Sequence, residues 1–253
     1  MNAQLEGKIA IVTGAGQGIG EAIARRFAAD GAKVVVSDVN GDAAEAVART
    51  VPGALAVRCD VTDEAQMAAL VVAATAQFGG LHVMVNNAGI AVPAAVLHTA
   101  LEDWRRVMSI NLDGVLLGIK HAAPAIAASG GGAIVNTASI KAYGGLPASA
   151  SYSASKAAIV SLSKTAALEL RALNVRVNAL CPGFIDTAMV RGIADDFKEI
   201  TGVDVGQYVD HLQGRLGTVD EVAAVAAFLA SDRSAFINGA PIVADGGAIA
   251  SLL

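Results

Sequence analysis

The sequence predicts an α/β protein built on a doubly wound, seven-stranded parallel sheet with helices on both faces, and three observations carry that prediction. Short β-rich runs alternate with helical patterns along the chain, as in strand–helix–strand units. The runs are nearly continuously apolar, which is expected when helices cover both faces of a sheet. A glycine-rich stretch, TGAGQGIG, follows the first run and opens a helix.

The runs are KIAIVT (8–13), KVVVSD (33–38), ALAVRC (54–59), HVMVNN (82–87), AIVNTA (133–138), VRVNAL (175–180) and a weaker PIVA (241–244). Each crossover between them is expected to be right-handed. After Ser151, Ile159, Leu162, Ala166 and Leu170 recur at three- and four-residue spacing, so a helix there turns one stripe to the core. Residues 187–217 break the pattern with a mixed, polar composition and five glycines, which predicts a helical flap. Within it Met189, Ile193, Phe197 and Ile200 are expected on one helix face, lining a mobile lid hinged at Gly192, Gly202, Gly206 and Gly214. No linker or repeat interrupts the 253 residues, so one domain over 1–253 is expected.

With 54% hydrophobic and 16% charged residues, the chain can bury a large core and is not of the disordered class. Its 18 basic and 23 acidic residues give a net charge of −5 without a basic cluster, which argues against a nucleic-acid partner. No segment reaches the ~18 uninterrupted apolar residues of a membrane span, and no leader pattern is present, so a cytoplasmic protein without a membrane partner is expected. Cys59 and Cys181 suggest neither a disulfide framework nor a metal site, and the four histidines lack ligand spacing. A small-molecule ligand remains.

In TGAGQGIG, Gly14, Gly18 and Gly20, with Gln17 and Ile19 between them, permit a tight turn and close approach of a pyrophosphate to a helix N-terminus. The spacing is Gly14-x-x-x-Gly18-x-Gly20; the commoner Gly-x-Gly-x-x-Gly does not fit, because position 19 is Ile. Asp38 ends the second run, where an acid can accept hydrogen bonds from adenosine ribose hydroxyls and repel a 2′-phosphate. Nothing basic at Ala15, Gly16, Gln17 or Val39 would welcome that phosphate, so NAD is the expected cofactor. Tyr152 and Lys156 lie four apart near the start of a helix, side by side on one face. A neighbouring ammonium favours ionisation of a phenol that otherwise titrates near ~10, making it a proton-transfer group.

With these motifs, NNAG (86–89), Ser139 and Pro182-Gly183 in order, the chain resembles the short-chain dehydrogenase/reductase family over essentially its whole length. The resemblance implies a Rossmann-type sheet and an oxidoreductase interconverting a secondary alcohol and a ketone. It implies that Ser139 hydrogen-bonds the substrate oxygen, that Tyr152 passes the proton, and that Lys156 binds the nicotinamide ribose and lowers the tyrosine's pKa. Asn111 would hold a water in the proton relay. Asp60 and Val61 would recognise adenine, Asn87, Ala88 and Gly89 would line the adenosine side, and Pro182, Gly183, Ile185 and Thr187 would meet the nicotinamide end. Asn86 could equally brace the sheet. Lys141 and Phe184 depart from the family's usual pattern, and with Met189 and Ile193 they are the candidate substrate residues. A 3-oxoacyl-thioester reductase, with Lys141 holding an anionic carrier, and a catalytically silent NAD-binding regulator are the alternatives. The resemblance, the alanine-rich faces of 157–168 and 221–230 and the tail AIASLL together predict a homotetramer.

Overall fold

In the computed structural model, which describes residues 4–250, the seven runs become β1 (Ile9–Thr13), β2 (Lys33–Asp38), β3 (Leu55–Arg58), β4 (Val83–Asn86), β5 (Gly132–Thr137), β6 (Val175–Pro182) and β7 (Pro241–Ala244). All neighbouring pairs are parallel and the order is β3-β2-β1-β4-β5-β6-β7. β3 and β4 are shorter than their apolar runs, while β6 continues to Pro182. The sequence order reverses between β1 and β4, the position at which a doubly wound sheet opens a crevice beyond its strand ends.

The connecting helices are α1 (Gly18–Ala29), α2 (Gly41–Ala48), α3 (Glu64–Phe78), α4 (Leu101–Met108), α5 (Gly114–Ala128), α6 (Ala150–Glu169), α7 (Ala188–Gly192), α8 (Ala194–Thr201), α9 (Val205–Gln213) and α10 (Val219–Ala230). Local chemistry sets their ends. Asp63 accepts hydrogen bonds from the backbone N–H groups of Ala65 and Gln66 to start α3, and Thr218 and Glu221 form a reciprocal capping box at α10. Between α4 and α5 the helix widens into a π-turn over Ser109–Asp113.

Each continuously apolar strand feeds two cores, because successive side chains point to opposite faces. Ile9, Ile11, Met84 and Ile134 join residues of α3, α5 and α6 on one face. Ala10, Val12, Val83, Val85 and Val135 join α1, α2 and α10 on the other. Most alanines of α10 belong to this core: Ala223, Ala226, Ala227 and Ala230 are buried in it, while Ala224 of the expected alanine face is only partly buried.

Residues 187–217 fold as three short helices, α7, α8 and α9, where the sequence suggests one helix face. The backbone breaks at Ile193, which ends α7 and begins α8. Phe197 is therefore buried, whereas Ile200 is 39% exposed. Gly202 and Gly214 terminate α8 and α9 in the left-handed conformation, with φ of 73° and 79°. The excursion leaves and returns at one point, where Asp186 N–H donates to Gly217 O and Gly217 N–H donates to Phe184 O, both at 2.9 Å.

A buried polar chain ties α6 to the sheet. Asn86 Nδ2 donates to Asn136 Oδ1 at 2.8 Å, Asn136 Nδ2 to Ser163 Oγ at 2.9 Å, and Ser163 Oγ to Ile159 O at 2.8 Å. Asn86 thus braces the sheet. Gly118 of α5 passes so close that a Cβ there would overlap the Asn86 carboxamide. Gly118→Ala should therefore cost about 1–3 kcal/mol, the usual range for overpacking a core; a lowered urea midpoint with unchanged far-UV circular dichroism is expected, and an unaltered midpoint would contradict this packing.

Candidate active site

The ends of β1 and β4 are knotted together beneath the crevice. Thr13 Oγ1 accepts from the backbone N–H groups of Asn87 at 3.0 Å and Ala88 at 3.2 Å, and donates to Val85 O at 3.3 Å. Asn87 Nδ2 donates to Thr13 O and Gly14 O at 3.0 and 3.2 Å. Gly14, at φ 61°, then turns the chain so tightly that a Cβ on it would lie 2.7 Å from Ala88 Cα.

Above this knot lies a cleft of about 380 Å³. Its wall unites Gly14, Gln17, Gly18, Ile19, Asp38, Asp60, Val61, Asn87, Ala88, Gly89, Ser139, Tyr152, Lys156, Pro182, Gly183, Ile185 and Thr187. Two expected residues stand behind it. Gly20 packs against Gly14 O and Asn87, where no side chain fits. Asn111 is fully buried in the π-turn: its Oδ1 accepts from Ile90 N–H at 2.8 Å, and its Nδ2 donates to Ile90 O and Ser155 Oγ at 3.0 and 3.1 Å.

The cleft fits a dinucleotide. Gln17 precedes α1 without a side-chain cap, leaving the first N–H groups of that helix for an anion. Asp38 Oδ2 accepts from Gly16 N–H at 3.0 Å and Oδ1 from Asn40 N–H at 2.9 Å, fixing the carboxylate at the far end of the cleft. Asp60 accepts from both the N–H and the hydroxyl of Thr62, so it also shapes the turn into α3. Thr187 caps α7, and its hydroxyl donates to Ile185 O at 3.3 Å.

At the other end, a second chamber of about 80 Å³ shares Ser139, Tyr152, Gly183, Met189 and Val190 with the cleft. Phe184, Lys141, Ile193 and Phe197 line this chamber, together with Ala91, Val92, Pro93 and Leu146, which sequence reasoning missed. Ile90, Thr137, Ala138, Ala188 and Val190 were likewise missed, although each adjoins a recognised motif or the flap. The 91–93 wall had no such signal: a bond from Ala94 N–H to Ala148 O at 3.1 Å brings that loop to the segment before α6. Ala148 itself is held at φ 63°, a strained non-glycine conformation four residues from Tyr152.

Lys156 is buried, and its Nζ donates to Thr137 O at 2.8 Å while lying 5.4 Å from the centre of the Tyr152 ring. Burial holds its ammonium down to about 8. The Tyr152 phenol moves opposite to expectation: burial pushes its pKa up, and a hydrogen bond from Ser139 only partly offsets this. Burying a phenolate away from water disfavours its charged form, and that is the dominant cause here. Cys59 and Cys181 are free, buried thiols, each pushed up chiefly by burial. Among the described residues there is no metal-ligating cluster and no helix long and apolar enough to cross a membrane.

The uncapped start of α1, Asp38 at one end of the cleft and the hydroxyls of Ser139 and Tyr152 where cleft and chamber meet have the arrangement that a dinucleotide-dependent oxidoreductase requires. A family model described as enoyl-(acyl carrier protein) reductase matches residues 14–248. The chain is 41% identical to meso-2,3-butanediol dehydrogenase of Serratia marcescens, over 98% of this chain and 97% of that protein. It is 46% identical to cis-4-hydroxycyclohexanecarboxylate dehydrogenase of Sinomonas cyclohexanicum, over 95% and 96%. An NADP-dependent (R)-specific alcohol dehydrogenase of Lentilactobacillus kefiri is 39% identical over 98% of both chains. The crystal structure of a short-chain type dehydrogenase/reductase from Mycobacterium marinum superimposes with a TM-score of 0.91, at 35% identity and 98% coverage of both chains. The chain belongs to the short-chain dehydrogenase/reductase family.

Proposed function

We propose that the protein interconverts a secondary alcohol and a ketone with NAD(H), using Ser139, Tyr152 and Lys156, with Asn111 as a positioning residue. The observation that carries this reading is that Ser139 and Tyr152 stand on the walls of both cavities, where a substrate oxygen in the chamber would face the cleft. The alcohol-dehydrogenase relatives support the reaction class. Bound in the cleft, the nicotinamide supplies or accepts the hydride.

Ser139 and Tyr152 donate hydrogen bonds to the substrate oxygen as negative charge develops there, and Tyr152 then gives up its proton. In the oxidative direction the ionised phenol takes the alcohol proton. Lys156 binds the nicotinamide-side ribose and keeps a positive charge near the phenol. Asn111, bonded to Ile90 and Ser155, holds the wall beside Gly89 in register with Lys156. The segment 187–217 acts as the substrate flap of a single domain, excluding water from the reacting atoms.

Asp38 supports the choice of NAD: among the cleft-lining residues the only cation is Lys156, at the opposite end. For assembly we infer a homotetramer. Leu97, Leu101 and Leu168 are 91%, 60% and 70% exposed, and Phe236 is fully exposed near β7, so large apolar groups remain after the sheet is covered. This support replaces the α10 face; of the tail, 251–253 lie outside the described residues.

Four outcomes are expected. Tyr152→Phe should lose ~10²–10⁴-fold in turnover, the range for general acid–base catalysis, while retaining cofactor binding by fluorescence titration. In the wild type the raised phenol is protonated at neutral pH, so its acid form is available for ketone reduction and its base form is scarce. Alcohol oxidation should therefore climb with pH between 6 and 7, up to about tenfold per unit, while Lys156 remains mostly charged, and the climb should flatten near 8 as Lys156 loses its proton; a flat oxidative profile from pH 6 would assign the proton elsewhere.

Asp38→Ala should raise the KM for NAD by about 10–100-fold, the equivalent of losing charged hydrogen bonds, and should narrow discrimination against NADP. Equal kcat/KM with both cofactors in the wild type would overturn the NAD assignment. Sedimentation equilibrium is expected to give four chains per particle, against a concentration-independent monomer as the contrary result.

A further inference from the structure

We propose that the substrate carries a carboxylate opposite its reacting hydroxyl or carbonyl, and that Lys141 is the side chain that binds it. This deepens the alcohol–ketone reading and rests on it.

Lys141 follows Ser139 by two residues, in a short 3₁₀ turn over Ile140–Ala142 that Ser139 itself caps by accepting the Lys141 N–H at 3.2 Å. Ser139 and the backbone of Lys141 therefore belong to one turn, and both residues line the chamber. The remaining lining residues include no other charged side chain. Phe184, Phe197, Met189, Ile193, Val92 and Leu146 make most of the wall apolar, which suits a compact ring or short branched chain.

Among the described residues the ammonium has no counter-charge within ion-pair distance, and its Nζ makes no hydrogen bond. It lies instead 4.7 Å from the centre of the Phe184 ring and 5.7 Å from that of Tyr208. These rings are part of one aromatic cluster, Phe184–Tyr208–Phe197, with centroids 5.8 and 5.7 Å apart. Ring faces hold a cation in place but leave its three donors unused. Burial accordingly depresses the Lys141 ammonium to about 8, so at neutral pH it is still mostly charged. A half-buried, oriented and unpaired cation is stabilised most by an anion entering the chamber.

That anion is a carboxylate of the substrate itself. The phosphate of a carrier arm would call for several basic groups, and Lys141 is the one basic residue that lines the chamber. With the hydroxyl at Ser139 and Tyr152, a carboxylate on Lys141 fixes which face of the carbon is presented to the cleft, so the lysine selects substrate and orients it.

Two measurements test this. Calorimetric titration of the NAD-loaded enzyme with cyclohexanecarboxylate reads the anion site without any turnover, and cyclohexanecarboxamide is its neutral counterpart. The wild type should bind the carboxylate about 10–100-fold more tightly than the amide, the range for a charged hydrogen bond. Lys141→Met, which keeps an unbranched stem against Phe184, should bring that ratio close to one, and Lys141→Arg should retain part of it. The same ratio should appear in kcat/KM, chiefly through KM, for 4-hydroxycyclohexanecarboxylate against its carboxamide. Equal binding of acid and amide by the wild type would overturn the proposal. So would a Met variant that weakens both alike, because the lysine would then only brace the aromatic cluster, and so would a preference for a neutral 3-oxoacyl thioester over the hydroxy acid. Carboxylate binding without oxidation of any alcohol would instead count against the reaction class and leave the anion site supported.

Discussion

The knot between the ends of β1 and β4 is the constraint on which the rest depends. Thr13 and Asn87 exchange a set of short, partly buried hydrogen bonds at the point where the sheet changes direction. Leaving a buried donor or acceptor of such a set unpaired costs about 1–3 kcal/mol, so the two strand ends move as one body. Gly14 can then approach Ala88 closely, and the turn into α1 is presented to the cleft in one conformation. The cofactor-side wall hangs from this junction.

The chamber is positioned by a different set of ties. The Asn86–Asn136–Ser163 chain fixes α6 on the sheet, and Lys156 is anchored to the end of β5 through Thr137. Tyr152, one turn earlier on α6, is thereby set against Ser139. Opposite it, the 187–217 segment is stapled at its stem by the Phe184–Gly217–Asp186 bonds, and Gln213 braces Phe184 by accepting from its N–H and donating to its O. Between these ties α7 and α8 carry Met189, Val190 and Phe197 against the cavities.

The phenol illustrates why residue identity and chemical state are separate questions. The four-residue spacing of Tyr152 and Lys156 was legible, and so was their pairing. The direction of the phenol's shift was not, because it depends on how much water the surrounding loops remove. Lys141 is a second case: its charge is visible in the sequence, but that no described residue forms an ion pair with it is a property of all the elements packed around it.

By itself the sequence determined the strand–helix alternation, the positions of the seven strands to within a residue or two, the tight glycine turn after β1, and the place of Tyr152 and Lys156 on one helix face. These are local: each rests on periodicity, on glycine in a tight turn, or on spacing along one helix. Tertiary structure alone decided that Gly20 and Asn111 stand behind the cleft wall, and that all but one of the α10 alanines are buried in the core. It also decided that 187–217 breaks into three helices, and that 91–93 meets 146–149 to close the chamber. Each of these depends on which surfaces meet across long stretches of chain, and no periodicity or spacing within a single segment encodes that meeting.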